Sequence, residues 1–267
     1  GLKVYVDRYG LNKWKDHTIT KINPDGTCNI GFRNNVPLAE LKQKVIHILP
    51  SLLFIDDGIH EIEEEFHEVY GNVVNVVNIN IPISIIGESL EHCIVMGGLL
   101  MNGGEIDDDV NVSDLTLRES TGNGVWGYEG ASIHLDNVSV ENSGWTGLRV
   151  DGKRNSMKNC NVSYSALNGL TVWGGGLMTI NGNGTTIHHN SNRYRNYYGL
   201  RSDDSSCSIH LASSLTIEMI STNNNGGGAY GGSGTIAIVD NEGTIIKTIQ
   251  EPTEYDSQDD SQDDSEC

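Results

Sequence analysis

LDNVSVENSGWTGLRVDGKRNSMK, residues 135–158, is the stretch on which the fold turns. Val138 and Val140 alternate with polar neighbours, an Asn-Ser-Gly cluster follows, and Gly147 opens a second short run in which Leu148 and Val150 flank Arg149. Alternation over three to five residues, punctuated by turn formers, reads as short strands joined by tight turns. The same grammar precedes it as VSDLTLRESTGNGVWGYEGASIH from Val112 and follows it as NCNVSYSALNGLTVWGGGLMTI from Asn159, in units of 22 to 24 residues. Looser copies run through GNGTTIHHN into YYGLRSDDSSCSIH and then LASSLTIEMISTNNNGGG, and INIPISIIGESLEHCIVMGG from Ile79 belongs to the series upstream.

Strands this short cannot form independent hairpins at this spacing. A chain that returns every ~20 to 25 residues beside its previous pass, one sheet spacing of ~4.8 Å further on, satisfies them all at once. The reading is an all-β parallel solenoid. Leucine-rich repeats share the period but need L-x-x-L-x-L and a convex helix, and neither is here. The composition agrees: 37% apolar, 6% aromatic and 32 glycines suit a narrow core with many turns and not a helical bundle.

On the recurrent VSVEN-S-GxxGL pattern, the entry FIDDGIHEI from Phe54 and the following PISIIGES, residues 50–250 resemble the right-handed parallel β-helix of the pectin-lyase-like superfamily. The expected organisation is a β module over 1–48, the β-helix over 49–250 and a disordered acidic tail over 251–267. In the front module KWKDHTITKINPDGTCNIGF places an NPDG turn between two alternating strands. Its spacing from Trp14 to Phe32 resembles the Tudor-like, SH3-like small barrel. That resemblance implies an aromatic cage of Tyr5, Trp14 and Phe32 for a methylated cation, although RNN at 33–35 replaces the usual acidic residues. Residues 36–49 have a helical apolar period and are expected to lid the solenoid, and residues 234–249, with an EG turn, to close it as a hairpin.

Charge is unevenly spread within the net −19. Residues 1–48 hold eight Lys/Arg against four Asp/Glu, residues 49–250 nine against twenty-four, and residues 251–267 none against eight. An acidic body repels phosphate backbones, so nucleic acid is an unlikely partner. No stretch approaches the ~18 to 20 apolar residues of a membrane span. Five cysteines with no CxxC pair indicate no disulfide scaffold or zinc site; Cys93, Cys160 and Cys207 read as packed small residues. N-x-S/T triplets at Asn111, Asn137, Asn161 and Asn183 could accept glycans, but three are one NVS string repeating.

Aligning the repeats at their Gly-apolar pair puts Val125, Leu148, Leu170 and Leu200 in one inward file and Trp126, Arg149, Thr171 and Arg201 in an outward row. Tyr128, Asp151, Trp173 and Asp203 make a second outward row, and His134, Lys158, Thr179 and His210 a third. The first two rows present indoles and a phenol for sugar C–H faces, and guanidinium and carboxylate groups for uronates and hydroxyls. The candidate ligand-binding set is Trp126, Tyr128, Arg149, Asp151, Trp173, Arg201 and Asp203. The superfamily implies lyase or hydrolase chemistry on such a face, with Asp151, Asp203 and Arg201 as the candidate catalytic groups. Asp151 and Asp203 lie two strand spacings, ~10 Å, apart, beyond the ~6.5 to 9.5 Å of an inverting pair, which suits binding better than catalysis. No cofactor is implied beyond Ca²⁺ at 107–109 or on the tail; His spread over a ladder cannot share one metal ion. Two roles follow: a non-catalytic surface or assembly protein that binds polysaccharide or protein partners, and a lyase or glycoside hydrolase of an acidic polysaccharide. An extracellular, surface or virion setting is favoured over the cytoplasm.

Overall fold

The computed structural model describes residues 52–104, 109–191 and 196–251 in full, and the backbone alone of 2–7, 14–22, 27–30 and 33–37. Among these residues the chain is all-β except for one helical turn, Ile217–Ile220. The front strands Leu2–Asp7, Trp14–Ile22, Thr27–Ile30 and Arg33–Pro37 form an antiparallel sheet in sequence order. Lys21 and Ile22 pair with Asn29 and Cys28 across the expected NPDG turn, whose residues lie outside the described ones, as do Phe32 and the side chains of Tyr5 and Trp14. Of the expected lid, Val36 and Pro37 belong to a strand, and the rest lies outside the described residues, as does the tail beyond Glu251.

From Leu52 onward large parallel sheets take over. A seven-stranded one contains Val76–Ile79, Gly98–Asn102, Val125–Tyr128, Leu148–Val150, Leu170–Val172, Tyr198–Ser202 and Gly228–Gly232, each paired with its neighbours in that order. Val125, Leu148, Leu170 and Leu200 are successive partners and each is 0% exposed. In the fourteen-stranded sheet Ile85, Val112, Leu135, Met157, Ile180 and Leu211 make a second apolar ladder, and Val95, Leu117, Val140, Val162 and Ile187 a third. All three face one continuous core. Cys93, Cys160 and Cys207 are buried there as free thiols, and burial pushes the Cys160 thiol up to about 11.

The second and third ladders are joined at a corner that needs left-handed backbone. Two nine-residue strands, Val110–Arg118 and Ile133–Glu141, run through it with Asp114 at φ 57° and Asn137 at φ 55°; in later repeats Asn159 (51°) and Gly182 (77°) stand there. Asx and Gly are the residues that reach this region at low cost. The Asn137 amide donates to Asp114 at 2.8 Å and the Asn161 amide to Ser139 and Ser163 at 2.9 and 3.2 Å, so two of the NVS asparagines have structural work.

Buried amides tie the layers together. Asn155, 2% exposed, accepts from the Ile133 N–H at 3.0 Å and donates to the Leu177 carbonyl at 3.2 Å, one partner in the repeat before and one in the repeat after. Its presence also moves the third outward row. His134 pairs with Ser156, not Lys158; Ser156 then pairs with Thr179 and Thr179 with His210. Lys158 sits two residues along, beside Asp136, whose carboxylate its ammonium meets at 3.0 Å.

Both ends of the parallel region carry antiparallel additions. Thr235–Val239 pairs with Ile245–Gln250 as the expected closing hairpin, with Asp240 Oδ1 accepting from the Glu242 and Thr244 N–H groups at 2.9 Å each. Near the front, Glu65–His67 and Asn72–Val74 form a two-stranded hairpin of their own.

Candidate functional site

The outward row beside the Val125 file forms in the expected register: Trp126, Arg149, Thr171 and Arg201 are successive partners. Leu100 precedes Trp126 in it. Alternation therefore turns these side chains away from the core. What then happens to each depends on what packs over it.

Trp126 is covered. The turn of the 65–74 hairpin lays Tyr70 on it, the rings edge to face at 4.8 Å, and Trp145 meets Tyr70 from the next repeat at 5.4 Å. Leu100, Val74 and Tyr128 complete this small second core, which leaves Trp126 8% exposed. Gly122 makes the seat possible, because a Cβ there would stand 2.6 Å from the Tyr70 ring. Tyr70 and Trp145 are absent from the sequence-derived set. The signal for Tyr70 is a lone Tyr-Gly-Asn between strands of three residues in an acidic run, too short to show a period.

Burial pushes the Tyr70 phenol up to about 12 from 10.0, against the opposing pull of Asn123 and Arg149. Below pH 10 the folded and unfolded chains both keep this proton. Between 10 and 12 the unfolded chain releases it first, so ionisation favours unfolding, by about 2 to 3 kcal/mol at the upper end. Urea unfolding of the wild type is therefore expected to lose more stability on moving from pH 8 to about pH 11.5 than that of Tyr70→Phe. Equal losses would show that the phenol does not titrate from this buried seat.

Arg149 lies between two indoles. Its guanidinium carbon is 5.2 Å from the Trp126 ring centre and 4.5 Å from that of Trp173, within cation–π range of both. Among the described residues it makes no salt bridge. Burial pulls its pKa down from the ordinary value, Asp203, Tyr70 and Asp151 acting in the opposite direction, and a guanidinium remains a cation nonetheless. The Nε–H of Arg149, the indole N–H groups of Trp126 and Trp173, and the Thr171 hydroxyl are buried without hydrogen-bond partners.

The acids are already occupied. Asp151 accepts the Glu129 and Gly130 N–H groups at 2.9 and 2.8 Å, capping the turn of the preceding repeat. Asp203 accepts Arg201 Nε at 2.7 Å, and Arg201 also donates to the Asn196 carbonyl at 3.3 Å. Asp204 caps Gly174 at 3.2 Å and binds the Ser206 backbone and hydroxyl; these bonds, the Ser206 hydroxyl's first, hold its carboxyl below the usual range.

No family model, curated protein or solved structure matches this chain.

Elsewhere, His188 and His189 meet Nδ1 to Nδ1 at 2.7 Å, with His189 stacked on Tyr164 at 5.2 Å. Among the described residues no three His, Cys, Asp or Glu side chains converge as a metal site. Of the residues named for Ca²⁺, Asp107 and Asp108 lie outside the described set and Asp109 pairs with Arg154 at 3.0 Å. No described helix is long and apolar enough to cross a membrane.

Proposed function

We propose that the parallel body is a right-handed β-helix of the pectin-lyase-like kind, serving as a rigid surface or assembly scaffold that holds an acidic glycan at Arg149 and Trp173. The observation that carries this is the Arg149 cation, stacked between two indoles with no salt bridge among the described residues and with neighbouring N–H donors left unsatisfied. Unmade hydrogen bonds of this kind are costly unless a ligand completes them, and a uronate carboxylate is a match for a guanidinium fork. Half-buried Trp173 and Tyr128 supply ring faces for sugar C–H groups. Trp126 and Tyr70 brace the cation from behind.

Binding without turnover fits the acids on this face. Asp151 accepts two backbone N–H groups and Asp203 is bonded to Arg201, so neither is poised as a proton carrier.

The test is calorimetric titration with polygalacturonate and with neutral dextran. Binding is expected for the acidic polymer alone, weakened about tenfold or more by Arg149→Gln and by Trp173→Ala, in keeping with about 1.5 to 3 kcal/mol for a charged hydrogen bond. Absence of binding, or binding indifferent to both changes, would overturn the proposal. Unsaturated uronate or new reducing ends appearing during the titration would replace it with the lyase or hydrolase reading.

A further inference from the structure

The corrected outward row on the larger sheet carries a second arrangement, unrelated to the Arg149 face. His134 and Ser156 are neighbours across two adjacent strands, and the Ser156 Oγ lies 2.7 Å from His134 Nδ1. The other ring nitrogen, Nε2, lies 3.3 Å from Asp109 Oδ2. With Nε2 protonated towards the carboxylate, Nδ1 is the acceptor for the serine hydroxyl. Asp109 is itself fixed by Arg154 at 3.0 Å. A hydrogen bond from Ser132, with the charges of His134 and Arg154 behind it, holds its carboxyl below the ordinary range. The imidazole and the carboxylate are 29% and 31% exposed, neither sealed in nor freely solvated.

A hydroxyl, an imidazole and a carboxylate in series are what activates a serine nucleophile, and such sets are recognised by geometry and not by chain order. We propose that Ser156, His134 and Asp109 form an ester-hydrolysing site that accepts O-acyl esters presented at the molecular surface. Ser156 Oγ bonds to the ester carbonyl carbon as its proton passes to His134 Nδ1. The carbon–alkoxy bond then breaks, the leaving alcohol takes that proton, and an acyl-Ser156 remains. Water, giving its proton to the same nitrogen, attacks the acyl carbon; carboxylic acid leaves and the serine proton returns, so one ester and one water give one acid and one alcohol. Asp109 is a positioning residue, keeping the Nε2 proton in place and balancing the imidazolium.

The substrate class follows from what surrounds the serine. The Asn155–Lys158 strand is paired on both sides, so its backbone does not offer the paired amides that stabilise an oxyanion in amide-cleaving enzymes. Arg154, whose side chain is 65% exposed beside Asp109, brings positive charge to the same patch. That combination suits esters, whose leaving groups depart more readily than amines.

The experiment treats the full-length chain with a fluorophosphonate and locates the adduct by peptide mass spectrometry, with p-nitrophenyl acetate hydrolysis measured in parallel. One phosphonyl group on Ser156 is expected, absent from the heat-unfolded chain and from Ser156→Ala. Labelling is expected to slow about a hundredfold or more in His134→Gln, the usual worth of a positioned base. Asp109→Asn should lower kcat for the acetate at least about tenfold with KM unchanged, a split that a purely structural carboxylate would not produce. Thermal melting of each variant verifies folding, and Ser156→Ala, which alters only an outward-facing side chain, keeps the test decisive if His134→Gln misfolds. No adduct, adducts scattered over several hydroxyls, or Ser156→Ala hydrolysing at the wild-type rate would overturn the proposal.

Discussion

Gly147→Ala is expected to destabilise the protein by about 3 kcal/mol, at the upper end of what an added methyl does in a close-packed interior. A Cβ at 147 would overlap the Val162 side chain and come within 2.7 Å of Ser165 Oγ and 2.8 Å of the Gly169 carbonyl. That carbonyl is the acceptor for the Leu148 N–H at 2.8 Å, so the clash cannot be relieved by a rotamer change. Strands in a sheet sit ~4.8 Å apart, and room for the methyl appears only if the ladder opens. Gly124 and Gly169 meet the same surroundings against Val140 and Ile187, which is why the Gly-apolar pair recurs in the sequence. Urea unfolding checks this, with exposed Lys153→Ala as a control expected within about 0.5 kcal/mol of wild type. An unchanged midpoint for Gly147→Ala would mean that the layers are not packed as closely as described.

Leu148→Ala is expected to lose about 2 to 5 kcal/mol, the range for emptying a fully buried leucine site. Leu148 is 0% exposed and lies between Val125 and Leu170, its direct partners on either side. The ladder holds each neighbour by backbone hydrogen bonds, which limits how far the site can collapse. The midpoint of urea unfolding should fall with little change in slope, and a loss below about 1 kcal/mol would contradict the buried file.

The inward file and the first outward row were legible in the sequence because both hang on one Gly-apolar pair whose glycine has no room for a side chain. The all-β character and the parallel pairing at 22- to 30-residue separations followed from the same pairs. The third outward row was misaligned by two residues for a specific reason. Asn155 is polar yet buried, so the Asn155–Lys158 strand lacks the apolar alternation that would have set its register. The covering of Trp126 was not legible at all. Pleat alternation gives the direction of a side chain relative to its own sheet, whereas Tyr70 reaches Trp126 from 56 residues upstream through packing that leaves no periodic trace. Likewise, the engagement of Asp151 by Glu129 and Gly130 depends on a turn in another repeat.

The separations between successive partners in the Val125 file are 23, 22 and 30 residues. The longest step, from Leu170 to Leu200, leaves the pairing of Thr171 with Arg201 and Val172 with Ser202 intact, so its surplus residues are absorbed in the turns. Chain length is thus quantised in this architecture. One residue gained inside a strand inverts every side chain beyond it, a turn swallows several without effect, and a duplicated block of one full repeat would lengthen the molecule by a single layer while leaving every other contact in place.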